Sequence, residues 1–177
     1  MSPGSDGFPT ISTAPTSDFP ATGASGDAGA EAADVTGILQ QAAADRQSVS
    51  NAVTDAAACG SGLAADQQAL TTAQQDRLTL ATTAGNTATD ALSGSTDLGQ
   101  LLSTALSDSA TADQDYATWI GDLQTSGCDP GTATEDDNYT AAQSASILAT
   151  QDKQNFLAAW NPLAGGYGQP TWTESAI

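Results

Sequence analysis

The amino-acid sequence predicts an all-α, up-down-up-down four-helix bundle with one disulfide and a disordered or extended N-terminal linker. Three observations predict it. Four stretches carry apolar residues at three- and four-residue spacing. The opening is rich in Pro, Ser, Thr and Gly and lacks that period. Two cysteines stand where the first and third stretches end, and the joins are short, which favours antiparallel neighbours.

Residues 1–29, "MSPGSDGFPTISTAPTSDFPATGASGDAG", read as an extended stalk. Phe8-Pro9 and Phe19-Pro20 repeat within it as docking points or as parts of a plain spacer, and its Ser and Thr would accept glycans in an exported chain. Residues 30–177 read as the bundle with its C-terminal tail packed back. The first helix spans Glu31 to Ala58, with Val35, Ile38, Leu39, Ala42, Val49, Val53, Ala56 and Ala57 on one face, and Gly60 is expected to take the left-handed position that ends it. The second runs from Leu63 towards Leu92, with Gly85-Asn86 marking a kink or an early end. The third, Asp97 to Thr125, has the strongest period, through Leu98, Leu102, Ala105, Ala112, Tyr116, Trp119, Ile120 and Leu123. The fourth runs from Glu135 to Trp160, and Pro162 is expected to stop it because proline lacks the helical donor.

The core must be thin: Ala supplies 35 residues, whereas Leu, Ile, Val, Phe and Trp together supply 28. Such a domain gains much from a covalent staple. In the expected topology the first and third helices run the same way, so Cys59 and Cys128 meet at one end. Pairing them implies one disulfide and an oxidising compartment, against the alternative of two buried thiols in a cytosolic protein.

Three Lys plus Arg against 21 Asp plus Glu give a formal charge of −18, a field that repels phosphate backbones and anionic lipid headgroups. Nucleic acid is therefore no expected partner. Nor is direct membrane insertion by this segment, because no stretch approaches the roughly 20 apolar residues of a span. The opening lacks the basic start and apolar run of a signal peptide, so any export signal or anchor is expected upstream. The chain has no His, a single Lys and two cysteines expected to pair, which leaves catalytic triads, zinc sites and phosphate loops without materials. No cofactor or metal is expected, and the chain reads as non-enzymatic.

The basic residues fall in unexpected places. At about 100° per residue, Arg46 lies near the centre of the first helix's apolar face, and Arg77 and Lys153 fall on the corresponding faces of the second and fourth. Counting back equal lengths from Cys59 and Cys128 brings Arg46 level with Asp115, with Asp113 close by. Two readings follow for Arg46, Arg77, Lys153, Asp113 and Asp115. They form either a buried ion-pair layer that sets helix register, or a cavity where the cations receive a small anionic ligand.

Two further stretches have plain structural readings. "CDPGTATEDDNY" gathers Asp129, Glu135, Asp136 and Asp137, but it lacks the alternation and central glycine of a calcium loop. It reads as a helix start with Thr134 as cap. "WIG" at Trp119–Gly121 is similar to the tripeptide of secreted WXG-type helical hairpins, yet it sits inside a long periodic helix, so Trp119 reads as core. In the tail, Gly165, Gly166 and Gly168 let the chain fold back so that Tyr167 and Trp172 cover the bundle.

From about Asp34 to Ile177 the chain resembles uncharacterised extracytoplasmic helical domains of actinobacterial membrane-anchored or secreted proteins. The resemblance rests on "ADRQSVSNAV…C", "ADQDYATWIGDLQTSGC" and "DKQNFLAAWNP", the last giving a C-terminal Trp-Asn-Pro signature. It implies a signal or single span upstream, a stalk, and this module outside the membrane, and it implies no chemistry. The expected function is an extracytoplasmic module that binds a ligand or an unknown protein partner, or a stalked surface domain. The alternatives are a secreted WXG-like interaction protein and a sensor of a small anionic ligand.

Overall fold

A computed structural model describes residues 27–94 and 97–177. Most of the expected linker, including both Phe-Pro pairs, lies outside the described residues. Four helices follow in order: α1 (Ala28–Ala57), α2 (Leu63–Asn86), α3 (Leu98–Ser126) and α4 (Asp137–Ala164). Asp27 begins α1, its carboxylate accepting from the Gly29 amide at 3.0 Å, so residues 28 and 29 belong to the first helical turn rather than to the linker. Helix α2 stops at Asn86, the earlier of its two expected ends. The start of α3 then crosses so close to it that a Cβ on Gly99 would sit 2.6 Å from the Ala84 carbonyl oxygen.

Helix α1 ends in a Schellman arrangement, with the Gly60 amide bonded to the Asp55 carbonyl at 2.9 Å and the Cys59 amide to that of Ala56 at 3.0 Å. The left-handed residue is Cys59, at φ 53°, not Gly60 as the sequence led us to expect. A Cβ one place later, at Gly60, would meet the Asp55 carboxylate, which would have to turn outward to make room. Cys59 holds its unfavourable backbone conformation while bonded to Cys128, with 5.6 Å between the two Cα atoms.

Two expectations for α4 are corrected. Asp136, not Thr134, caps the helix, accepting from the Asn138 amide at 2.7 Å. The reason is Trp119: its indole N–H donates to the Ala133 carbonyl at 2.6 Å and holds residues 133–135 in a separate short turn. Pro162 does not stop α4, which continues to Ala164. The carbonyl that proline leaves without a donor belongs to Ala158, an exposed residue, and the extra turn buries Ala164 completely.

Helix α1 packs on α2, α2 on α3 and α3 on α4, whereas α1 and α4 scarcely meet. The tail fills one half of the seam between them. Asn161 clamps the Trp172 backbone, donating to its carbonyl at 2.9 Å and accepting from its amide at 3.0 Å. Tyr167 takes a hydrogen bond from the Ser93 amide at 2.9 Å, and Ile177 ends up only 3% exposed inside the core. That core is divided. One cluster joins Val35, Leu39, Leu102, Phe156, Trp160 and Ile177, and the other joins Ala56, Leu70, Trp119, Ile120 and Ala142 near the disulfide.

Reducing the disulfide, which spans 69 residues, should lower unfolding free energy by roughly 4 kcal/mol in urea titrations with and without reductant. Ile177→Ala should cost about 2–5 kcal/mol in the same assay, as expected for a buried aliphatic side chain. A tail resting on the surface would show almost no change.

Candidate functional site

Between the two apolar clusters the bundle is polar. Arg77, on the inner face of α2, is 3% exposed, and Asp113, on the inner face of α3, is 1% exposed. The Arg77 Nη1 donates to Asp113 Oδ1 at 3.1 Å and lies 3.0 Å from Oδ2, the one salt bridge among the described residues. It also reaches the Ser109 carbonyl at 3.4 Å. The guanidinium's other nitrogens, Nε and Nη2, are buried without a hydrogen-bond partner, and Asp113 Oδ2, though in ion-pair contact with Nη1, accepts no hydrogen bond. Unsatisfied donors of this kind cost about 1–3 kcal/mol each unless something fills the adjoining space.

That space is a cavity of about 290 Å³ in the half of the α1–α4 seam that the tail leaves open. Arg46 lines it from α1, Arg77 from α2, Asp113 and Tyr116 from α3, and Lys153 from α4. Arg46 is half-buried and makes no salt bridge among the described residues. Lys153 is 4% exposed, and its Nζ donates to the main-chain oxygen of Ile177 at 2.6 Å, so the end of the tail abuts the floor of the cavity.

Asp115 is not part of this arrangement. It is half-buried and does not line the cavity. Helical rise separates it from Asp113 by only about 3 Å, but at about 100° per residue the two point to nearly opposite sides of α3. Phase therefore selects Asp113, which shares its face with Ser109, Ala112 and Tyr116. Sequence reasoning did not place Tyr116, Ser109, Thr150 or Gln143 at the site, although Tyr116 and Ser109 stand three and four residues from Asp113 and Thr150 three from Lys153, whereas Gln143, ten residues before Lys153, carries no such local signal.

Burial dominates the electrostatics. It pushes the Asp113 carboxyl up to about 7 despite the Arg77 and Lys153 charges beside it. It pulls the Lys153 amine down to about 7, helped by repulsion from Arg77 and Arg46. Burial also lowers Arg77, which Asp113 and Asp45 oppose, and it raises Asp45 together with repulsion from Asp76. Below pH 7 the cavity thus holds three cations and a neutral carboxyl, and above it two cations and a carboxylate.

No group of three or more His, Cys, Asp or Glu is placed to hold a metal among the described residues. No helix there is long and apolar enough to cross a membrane. The acids after Cys128 serve the chain locally, Asp129 accepting from the Gly131 amide and Asp136 capping α4. Comparison with protein-family models, with curated proteins and with solved structures finds no match.

The two shifted groups set a pH dependence of stability. Between about 7 and 10.5 the unfolded chain keeps a Lys153 proton that the folded chain has shed, so stability rises with pH. Between 3.8 and about 7 the folded chain keeps an Asp113 proton that the unfolded chain has lost, so stability falls as pH rises. Melting temperature should therefore increase from pH 7 to pH 10 by more than about 3 °C. Lys153→Met should abolish that increase, and an unaltered slope in the variant would assign it elsewhere.

Proposed function

We propose that this chain is a non-enzymatic, extracytoplasmic helical module that binds a small anionic ligand in the mid-bundle cavity. One observation carries the reading: the chain has three Lys and Arg in all, and every one of them lines the same cavity. An ion-pair layer alone needs as many carboxylates as cations. Here Asp113 is the one carboxylate side chain that lines the cavity beside three cations, Asp45 adds its charge to Arg77 only from outside that lining, and two donors of Arg77 have no hydrogen-bond partner among the described residues. A bound anion supplies the missing charge and accepts from the free donors.

The acidic exterior slows the approach of anions but does not cancel the field inside, since the cavity walls are low in dielectric and the cations are local. The disulfide supports an oxidising compartment outside the cytoplasm, in keeping with the resemblance to exported actinobacterial domains and with attachment through a stalk.

Titration calorimetry of the oxidised chain with inorganic sulfate, succinate and tartrate tests the reading. At least one should bind, and Arg46→Gln should weaken it by about tenfold or more while shifting the melting temperature little, because Arg46 is half-buried and unpaired. Affinity should also fall between pH 6 and pH 8, as Lys153 loses its proton and Asp113 gains its charge. No binding by any of the three, or an affinity indifferent to Arg46, refutes the site.

A further inference from the structure

We propose that the anion is a hydroxylated small carboxylate, an organic acid carrying alcohol groups. This rests on the anion-binding reading and assigns its ligand class. The cavity's size comes first. About 290 Å³ accommodates on the order of ten water-sized groups, at roughly 30 Å³ each, which suits an organic acid better than a lone oxyanion.

The distribution of charge along the seam comes second. Because α1 and α4 run in opposite directions, Arg46, Arg77, Asp113 and Lys153 lie towards the tail-filled half. Ser50 and Thr54 of α1, Tyr116 of α3, and Gln143 and Ser146 of α4 lie towards the disulfide. The ligand's acid group therefore belongs at one end and its uncharged polar groups at the other.

The third point is which hydrogen-bonding capacity remains at the uncharged end and along the wall. A hydroxyl has one proton to donate and two lone pairs to accept with. Thr54 donates its proton to the Ser50 carbonyl at 2.7 Å, Thr150 to that of Ser146 at 2.8 Å, and Ser109 to that of Ala105 at 2.8 Å. These three side chains face the cavity as acceptors and favour a ligand that brings its own donors, while the Tyr116 hydroxyl, which accepts from Gln143 at 2.6 Å, keeps a proton to donate, a combination that an alcohol group, donor and acceptor at once, satisfies. Inorganic sulfate and plain carboxylates bring no donor. An amino acid brings an ammonium, but its position next to the carboxylate sets it in the repulsive field of Arg46, Arg77 and Lys153. Alcohol O–H groups supply neutral donors, and Val49, Val53, Ala112 and Ala149 provide small apolar contacts for the carbons between them.

Calorimetry at pH 6 and low salt, on the oxidised chain, separates the classes with two matched pairs: tartrate against succinate, and gluconate against hexanoate, with inorganic sulfate alongside. At least one hydroxy acid should bind about tenfold or more tighter than its matched partner and tighter than sulfate. The double variant Thr54→Val, Thr150→Val should bring that pair to within about threefold without weakening the plain acid. If neither hydroxy acid binds about tenfold tighter than its matched partner, or sulfate binds as tightly as the tighter hydroxy acid, the ligand class is overturned and the anion site stands. If none of the five probes binds, both conclusions fall.

Discussion

The Arg77–Asp113 pair is the constraint around which the bundle is arranged. Two nearly inaccessible ionisable side chains in the middle of an interior hold each other in place, because each loses its water on burial and finds in the other a polar partner. The pairing ties the register of α2 to that of α3. A helix slip of one residue would rotate Asp113 by about 100° and leave a buried guanidinium without its partner. It also divides the interior, since apolar side chains fill the levels above and below while the level of the pair is polar. In an alanine-rich core that shows little preference among packings, such a pair supplies orientation that weak apolar contacts do not.

The polar level persists because the seam between α1 and α4 never closes. Three joints hold the rest. The disulfide links the end of α1 to the loop after α3, the tail wedges Ile177 between the helices at mid-height, and the Asn161 side chain anchors that tail against α4. Lys153 stands where the filled and open halves of the seam meet, bonded to the tail on one side and lining the cavity on the other. Whatever enters the cavity is therefore in electrical contact with the residue that holds the end of the chain.

The electrostatic plan is an inversion. An exterior crowded with carboxylates surrounds an interior that holds every cation of the chain, so the strongest positive potential lies where solvent is scarce. Burial then works on the two titratable members in opposite directions, raising Asp113 and lowering Lys153 to the same region near neutrality.

Much of this was readable from the order of residues alone. The four helices, the inward turn of Arg46, Arg77 and Lys153, and the meeting of Cys59 with Cys128 all follow from periodicity and chain direction, which are local properties that propagate along a rigid helix at fixed rise and rotation. What only the tertiary structure decided depends on a neighbour from elsewhere in the chain. Asp113 rather than Asp115 is chosen by the position of Arg77 across the interface. Asp136 replaces Thr134 as the cap because Trp119 holds the preceding turn, and α4 continues past Pro162 because the residue that loses its donor, Ala158, is exposed while Ala164 finds the core. The open seam, and Ile177 filling half of it, come from the balance of packing among all four helices, and spacing within any one helix carries no record of that balance.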